Sequence, residues 1–129
     1  MYDEELLERG LHPRFRGEIP GVEPIKLLNA SCGDEILVYL KVSDGKILDG
    51  KWNGNGCAIS LASADFFIES VVGKSLDEAK MFTREFSKMI LSEKYDEKKI
   101  GAAKAMKCVS RMPARAKCAK LALKSLDMI

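Results

Sequence analysis

Glu35-Ile36-Leu37-Val38-Tyr39-Leu40-Lys41-Val42, followed by Ser43-Asp44-Gly45-Lys46, decides the fold. β-Formers dominate the first eight positions, and Ile36, Val38, Leu40 and Val42 alternate onto one face. The Asp-Gly pair then favours a tight hairpin turn. Ile47 through Asn53 becomes the returning strand, and Ile25-Lys26-Leu27-Leu28 offers a third. A small antiparallel three-stranded sheet is the result.

Outside the sheet the apolar period lengthens. Residues 1–10 read as a short amphipathic helix, with Tyr2, Leu6 and Leu7 sharing a face and Gly10 ending it. His12-Pro13-Arg14-Phe15-Arg16-Gly17 is a basic connector, and Pro20 and Pro24 keep the next stretch extended. Beyond the hairpin, Ile59 through Val72 is helical in spacing, with Leu61, Phe66, Phe67 and Val71 facing the core and Gly73 as its stop. Ser75-Leu76-Asp77-Glu78 matches a capping box. Its helix should run to about Leu91 and bury Leu76, Ala79, Phe82, Phe86 and Met89. Residues 92–99 are a charged surface connection. Pro113 suits the first turn of a last helix, with Cys118, Leu121, Ala122 and Leu126 on its apolar stripe. There is no internal repeat and no linker. The expectation is one α+β domain over residues 1–129, with helices packed on one side of the sheet.

Composition narrows the function. Of 129 residues, 47% are apolar and 31% charged, the balance of a globular chain. Lys and Arg number 21 against 19 Asp and Glu, and a net charge of +2 argues against a nucleic-acid binder. No run reaches the ~18 consecutive apolar residues that would span a bilayer. Met1-Tyr2-Asp3-Glu4-Glu5 is acidic where a secretion signal would be basic, so the expected location is cytoplasmic. Reducing cytosol disfavours disulfides among Cys32, Cys57, Cys108 and Cys118. His12, the lone histidine, excludes multi-histidine metal sites within one chain. Sulfur is the expected agent of any chemistry.

Three cysteines stand in supportive surroundings. Cys32 lies in Ser31-Cys32-Gly33-Asp34, where glycine lets the backbone pass close to a bound atom and Asp34 adds a carboxylate. Cys57 ends Asn53-Gly54-Asn55-Gly56-Cys57 at a helix start, where the macrodipole favours thiolate. Cys118 follows Arg115-Ala116-Lys117. With Asp34, these thiols supply three sulfur ligands and one oxygen, enough for tetrahedral zinc. Three thiolates and a carboxylate around a divalent ion leave two negative charges, which Arg115 and Lys117 partly offset. The same thiolates could hold an iron–sulfur cluster instead. Cys108, on an apolar stretch with no glycine or acid nearby, reads as a buried structural thiol. Trp52 reads as core or sheet-face packing, and His12 as a surface or helix-end residue.

Cys32-Gly33-Asp34, then Gly54-Asn55-Gly56-Cys57-Ala58-Ile59-Ser60-Leu61-Ala62-Ser63, then Arg115-Ala116-Lys117-Cys118, in this order, resemble the U-type iron–sulfur cluster assembly proteins: the IscU, NifU N-terminal and SufU scaffolds. The resemblance covers nearly the whole chain, from His12-Pro13-Arg14 to Ala122. Within the family it is nearest the SufU-like branch. The interval from Cys57 to Cys118 is longer than in the IscU branch, and Lys117 stands where that branch has histidine. Arg111-Met112-Pro113-Ala114 replaces the IscU segment that engages a dedicated chaperone. Two segments depart from the family: Asn29-Ala30-Ser31 replaces the usual Asn-Pro-Thr, and Trp52 stands at an aromatic position of the hairpin.

The resemblance implies a metal site of Cys32, Asp34, Cys57 and Cys118 and a SufS-like cysteine desulfurase as partner. Zinc is the implied ion, with a transient [2Fe–2S] cluster as the alternative cofactor. Cys32 would accept persulfide sulfur as a zinc-dependent sulfurtransferase does and pass it to downstream assembly or apo-proteins, with Arg115 in support. The alternative is a non-enzymatic scaffold that assembles and transfers the cluster. Neither nucleic acid nor membrane is an expected partner, and the expected state is a monomer or weak dimer.

Overall fold

The computed structural model describes residues 2–129. In chain order it has α1 (Glu4–Leu11), β1 (Ile25–Asn29), β2 (Asp34–Ser43), β3 (Lys46–Asn55), α2 (Ala58–Val71), α3 (Leu76–Ile90) and α4 (Ala116–Lys120). Tighter 3-10 segments cover Glu97–Lys99, Gly101–Arg111, Pro113–Arg115 and Ala122–Met128. The strands form one antiparallel sheet in the order β1-β2-β3. Asp44 (φ 52°) and Gly45 (φ 73°) both take left-handed conformations at the turn, as a two-residue hairpin of this twist requires. A register shift at Lys41/Val42 bends the far end of the hairpin.

Leu27, Ile36, Val38, Ile47 and Trp52 fill the inner face of the sheet and are all buried. That face packs on α2 and on the C-terminal segment. Tyr39 points the other way yet is also buried. Burial and the carboxylates of Glu18 and Glu23 raise its hydroxyl pKa. The 18–24 stretch, expected to be extended, instead turns at Pro20-Gly21, where Val22 N–H donates to the Ile19 carbonyl at 3.1 Å and Gly21 takes φ +82°.

The central helix is α2. Ten of its 14 residues are buried, including Ser60, Ser63 and Asp65, so it is enclosed on nearly every side. Leu61, expected in the core, is half-buried, as is Leu76 on α3. Ser75 and Glu78 form the expected capping box at 3.0 and 3.1 Å.

Two segments differ from their sequence patterning. In α1, Asp3 caps the start by accepting from Glu5 N–H at 2.8 Å, and Gly10 lies within the helix. A Cβ on Gly10 would stand 3.2 Å from the Ala58 carbonyl, so this glycine serves close packing against α2 rather than termination. Leu6 is buried but Leu7 is 40% exposed, because one residue turns ~100° around the helix. The reading of residues 1–10 includes Met1, which lies outside the described residues. Near the C-terminus, one helix from Pro113 becomes a 3-10 turn, the short α4 and a further 3-10 segment. Residues 101–111, given no element by the patterning above, wind as a 3-10 helix. Ile100, Ala103, Met106 and Val109 are buried at intervals of three, the spacing that stacks side chains on a 3-10 helix.

Candidate metal centre

One end of the sheet meets the N-terminus of α2 and the start of α4, and there three candidate ligands converge. Asp34 opens β2 on its inner face; Cys32 precedes it in the β1–β2 turn, where Gly33 takes φ +71°. Cys118 comes from α4. One sulfur of Cys32, one of Cys118 and a carboxylate oxygen of Asp34 all lie within 4.8 Å of one another. The two sulfurs are 3.1 Å apart. All four cysteines are free thiols.

Cys57 stands beside this group. Its Sγ is 3.3 Å from Ser60 Oγ, one helical turn on, while its backbone N–H donates to Asp34 Oδ1 at 3.0 Å. The backbone bond holds the helix start against the carboxylate. Gly56 makes this approach possible: a Cβ there would stand 2.6 Å from Asp34 Oδ1 and 2.7 Å from Ser60 Oγ.

Burial differs across the set. Cys118 and Asp34 are buried, whereas Cys32 and Cys57 are half-buried. Burial drives the Asp34 pKa up, but hydrogen bonds from Cys57 N–H, Ser60, Cys118 and Asn29 outweigh it, and the carboxyl stays below its ordinary value. Cys118 moves far the other way. Burial, hydrogen bonding with Cys32 and Asp34, and the adjacent Cys57 all raise its thiol pKa. Several soft sulfurs and a carboxylate packed this closely cannot all carry charge without a cation among them. The donor set therefore fits a divalent, sulfur-preferring ion such as zinc.

Arg115, on the 3-10 turn before α4, places Nη1 3.6 Å from Cys32 Sγ. Hydrogen bonding to Cys118 and the charges of Cys32 and Cys57 raise its own pKa. Lys117, expected to share this work, is exposed and has no hydrogen bond or ion pair among the described residues. Helical rotation carries it away from the sulfur beside it. Cys108 sits apart, half-buried rather than fully enclosed, with its thiol 3.8 Å from the Ala105 carbonyl.

Two polar residues that the sequence motifs include, but that the sequence reading did not assign to the site, lie in it. Asn29 is buried and touches Asp34 and Cys118; Ser60 touches Cys57. Asn29 faces inward because it follows Leu27 by two positions in a strand, and Ser60 follows Cys57 by three in a helix. Both spacings were available, but neither residue type marks a site by itself.

A short sheet with thiols and one carboxylate gathered at one end, from the sheet itself, a helix start and a late helix, defines a class of compact thiol-site proteins. The chain belongs to the NifU-like N-terminal domain family, whose model matches residues 1–119. It is 40% identical over 127 residues to the iron–sulfur cluster assembly scaffold protein IscU of Thermotoga maritima, covering 98% of this chain and 89% of that one. Over 128 residues it is 32% identical to the zinc-dependent sulfurtransferase SufU of Bacillus subtilis, covering 98% and 87%. Among solved structures, the putative iron–sulfur cluster assembly scaffold protein for the SUF system from Fervidobacterium islandicum superposes with a TM-score of 0.92 at 34% identity, over 98% of this chain and 94% of that one. The N-terminal part of a NifU-like protein from Brucella abortus shares the fold, at a TM-score of 0.86 and 21% identity over 96% and 88%. The α+β architecture expected from the sequence is that of these structures. Among the described residues no helix is long and apolar enough to cross a membrane.

Proposed function

We propose that this protein accepts persulfide sulfur from a cysteine desulfurase at a zinc site of Cys32, Asp34, Cys57 and Cys118, and passes it on for iron–sulfur cluster assembly in the cytoplasm. The observation that carries the reading is the asymmetry of the thiols. Cys118 is enclosed, while Cys32 is half-open and has the Arg115 guanidinium beside its sulfur. A bound zinc would hold the sulfurs as thiolates at neutral pH. Cys32 thiolate attacks the outer sulfur of the desulfurase persulfide. A new S–S bond forms at Cys32, the old one breaks, and the desulfurase cysteine leaves as thiolate, so electrons balance with no external oxidant. Arg115 stabilises the anionic sulfur before and after transfer.

A second reading rests on the same donors. The Thermotoga relative is named as a scaffold, and the thiols that suit zinc also suit a [2Fe–2S] cluster, which would then be cargo rather than a resident group.

Metal and acid-labile sulfide analysis of protein purified without oxygen or chelator, followed by desulfurase assays, separates the two. About one zinc per chain without sulfide, and faster desulfurase turnover by the zinc form, is the expected result. Iron and sulfide in equal amounts would make the scaffold reading primary. Mass spectrometry should find one added sulfur atom on Cys32. Cys32→Ala should abolish acceptance and Cys108→Ala should preserve it; equal loss in both would overturn the assignment.

A further inference from the structure

Asn29 is the last residue of β1 and pairs directly across the ladder with Asp34. Its side chain is buried, at 7% exposure for the residue. Nδ2 lies 3.1 Å from Asp34 Oδ2 and 3.5 Å from Cys118 Sγ. A carboxamide nitrogen has two hydrogens, and here each has its own acceptor. The orientation follows from chemistry: turned over, the amide oxygen would sit against the Asp34 carboxylate oxygen at 3.1 Å, acceptor against acceptor. The Asn29 side chain does not reach the Cys32 sulfur, which faces Arg115; the two residues meet only through the backbone, where Cys32 N–H donates to the Asn29 carbonyl at 3.3 Å.

We propose that Asn29 is a positioning residue of the metal centre, whose two N–H groups fix Asp34 and Cys118 as the standing pair of ligands, while the half-buried Cys32 and Cys57 lie outside the reach of its side chain. This inference rests on the metal-site reading above. Asp34 Oδ1 is already held by Cys57 N–H and Oδ2 by Asn29, so the carboxylate is clamped at both oxygens. Cys118, on a short helix distant in the chain, is tied to the sheet by the same amide. Outer hydrogen bonds of this kind orient ligands and raise metal affinity, and their loss usually costs about 10- to 100-fold in binding.

The test compares wild type with Asn29→Leu, which approximates the shape of the side chain and removes both donors. Zinc affinity is read by competition with a chromogenic chelator, and site geometry by the sulfur-to-cobalt charge-transfer band of the cobalt form. Thermal unfolding of the metal-free proteins checks the fold. The expected outcome is zinc binding weakened about 10- to 100-fold, with an altered cobalt band and both proteins folded. A folded variant with wild-type affinity and band overturns the role of Asn29 while leaving the metal-site reading intact. Wild type that takes up neither zinc nor cobalt overturns both. If the variant does not fold, nitrogen-labelled wild type loaded with an NMR-active cadmium isotope decides. Coupling between an Asn29 amide hydrogen and cadmium through the Cys118 sulfur supports the proposal, and its absence overturns it.

Discussion

The indole N–H of Trp52 donates to Asp65 Oδ1 at 2.9 Å, joining the inner face of the hairpin to the middle of α2. Asp65 also accepts from the backbone N–H groups of Arg14 and Phe15, at 3.0 and 2.8 Å, and from Arg9 at 3.2 Å. One fully buried carboxylate thus fixes the basic connector, α1 and β3 together. Arg9 completes the group by pairing with Glu69 at 2.6 Å and lying over the Phe66 ring at 4.2 Å. Asp65→Ala strands three N–H donors and leaves the buried Arg9 guanidinium with Glu69 alone, and should cost on the order of 3–5 kcal/mol. Trp52→Phe strands less and should cost about 1–3 kcal/mol. Urea unfolding of the two variants checks the ranking.

Gly56→Ala tests the Asp34 clamp from the other side. The added methyl collides with the Asp34 carboxylate and Ser60 hydroxyl, so the carboxylate must shift. Zinc affinity should fall by about tenfold or more, the size expected when an outer contact is lost. Chelator competition measures it. Unchanged affinity would mean that Asp34 tolerates displacement.

Metal uptake should be proton-coupled. The raised pKa of Cys118 keeps its thiol protonated at neutral pH in the metal-free protein, and coordination needs the thiolate. Binding therefore releases the Cys118 proton, and apparent affinity should rise with pH, by about tenfold per unit for that one proton. A pH indicator in weak buffer should register the release. Asp34 adds nothing to it near neutrality, since its carboxyl pKa lies below the ordinary value and the group is already ionised.

Arg115→Ala removes the cation 3.6 Å from Cys32 Sγ. In metal-free protein, iodoacetamide should label Cys32 several-fold more slowly, and desulfurase-driven sulfur loading should slow with it. Arg115→Lys should recover part of the rate through charge alone, lacking the planar fork. Labelling at the wild-type rate in the alanine variant would remove Arg115 from the site chemistry.

Acid stability should turn on α3. Glu85 accepts from the Asp96 backbone N–H at 2.9 Å and pairs with Lys88 at 3.3 Å. The Asp96 bond, followed by the Lys88 contacts, holds its carboxyl pKa below the ordinary 4.5 despite partial burial. A lowered pKa means stabilisation present above the unfolded value and lost as pH falls through the folded one. Glu85→Gln should flatten that acidic limb of the stability curve.

The sheet was legible because its signal is local: alternation within eight residues and an Asp-Gly turn. The capping box of α3 was legible for the same reason, with both partners three positions apart. What escaped were features that depend on distant packing. Nothing near Leu7 says that α2 lies on the opposite face of α1. The threefold stripe through Ala103, Met106 and Val109 is present in the sequence, but the α-helical period hides it unless a spacing of three is sought. At the candidate site, the glycines and acid around Cys32 and Cys57 marked those thiols. Asn29 carries no such mark, because its partners Asp34 and Cys118 meet it only after β1 has paired with β2 and α4 has docked.

Cys32 and Cys118 are 86 positions apart in the chain. An ion bridging them cross-links nearly two-thirds of the polypeptide, as a disulfide would, but reversibly. Forbidding the unfolded chain to separate these ends contributes about 4–5 kcal/mol by loop-closure entropy, as much as a well-placed covalent staple. Chelation should then do more than silence the site: it should loosen the attachment of the C-terminal segments to the sheet. Amide hydrogen exchange around α4 and β1 would report that loosening. Metal content would thereby bear on the stability of the fold as well as on the site.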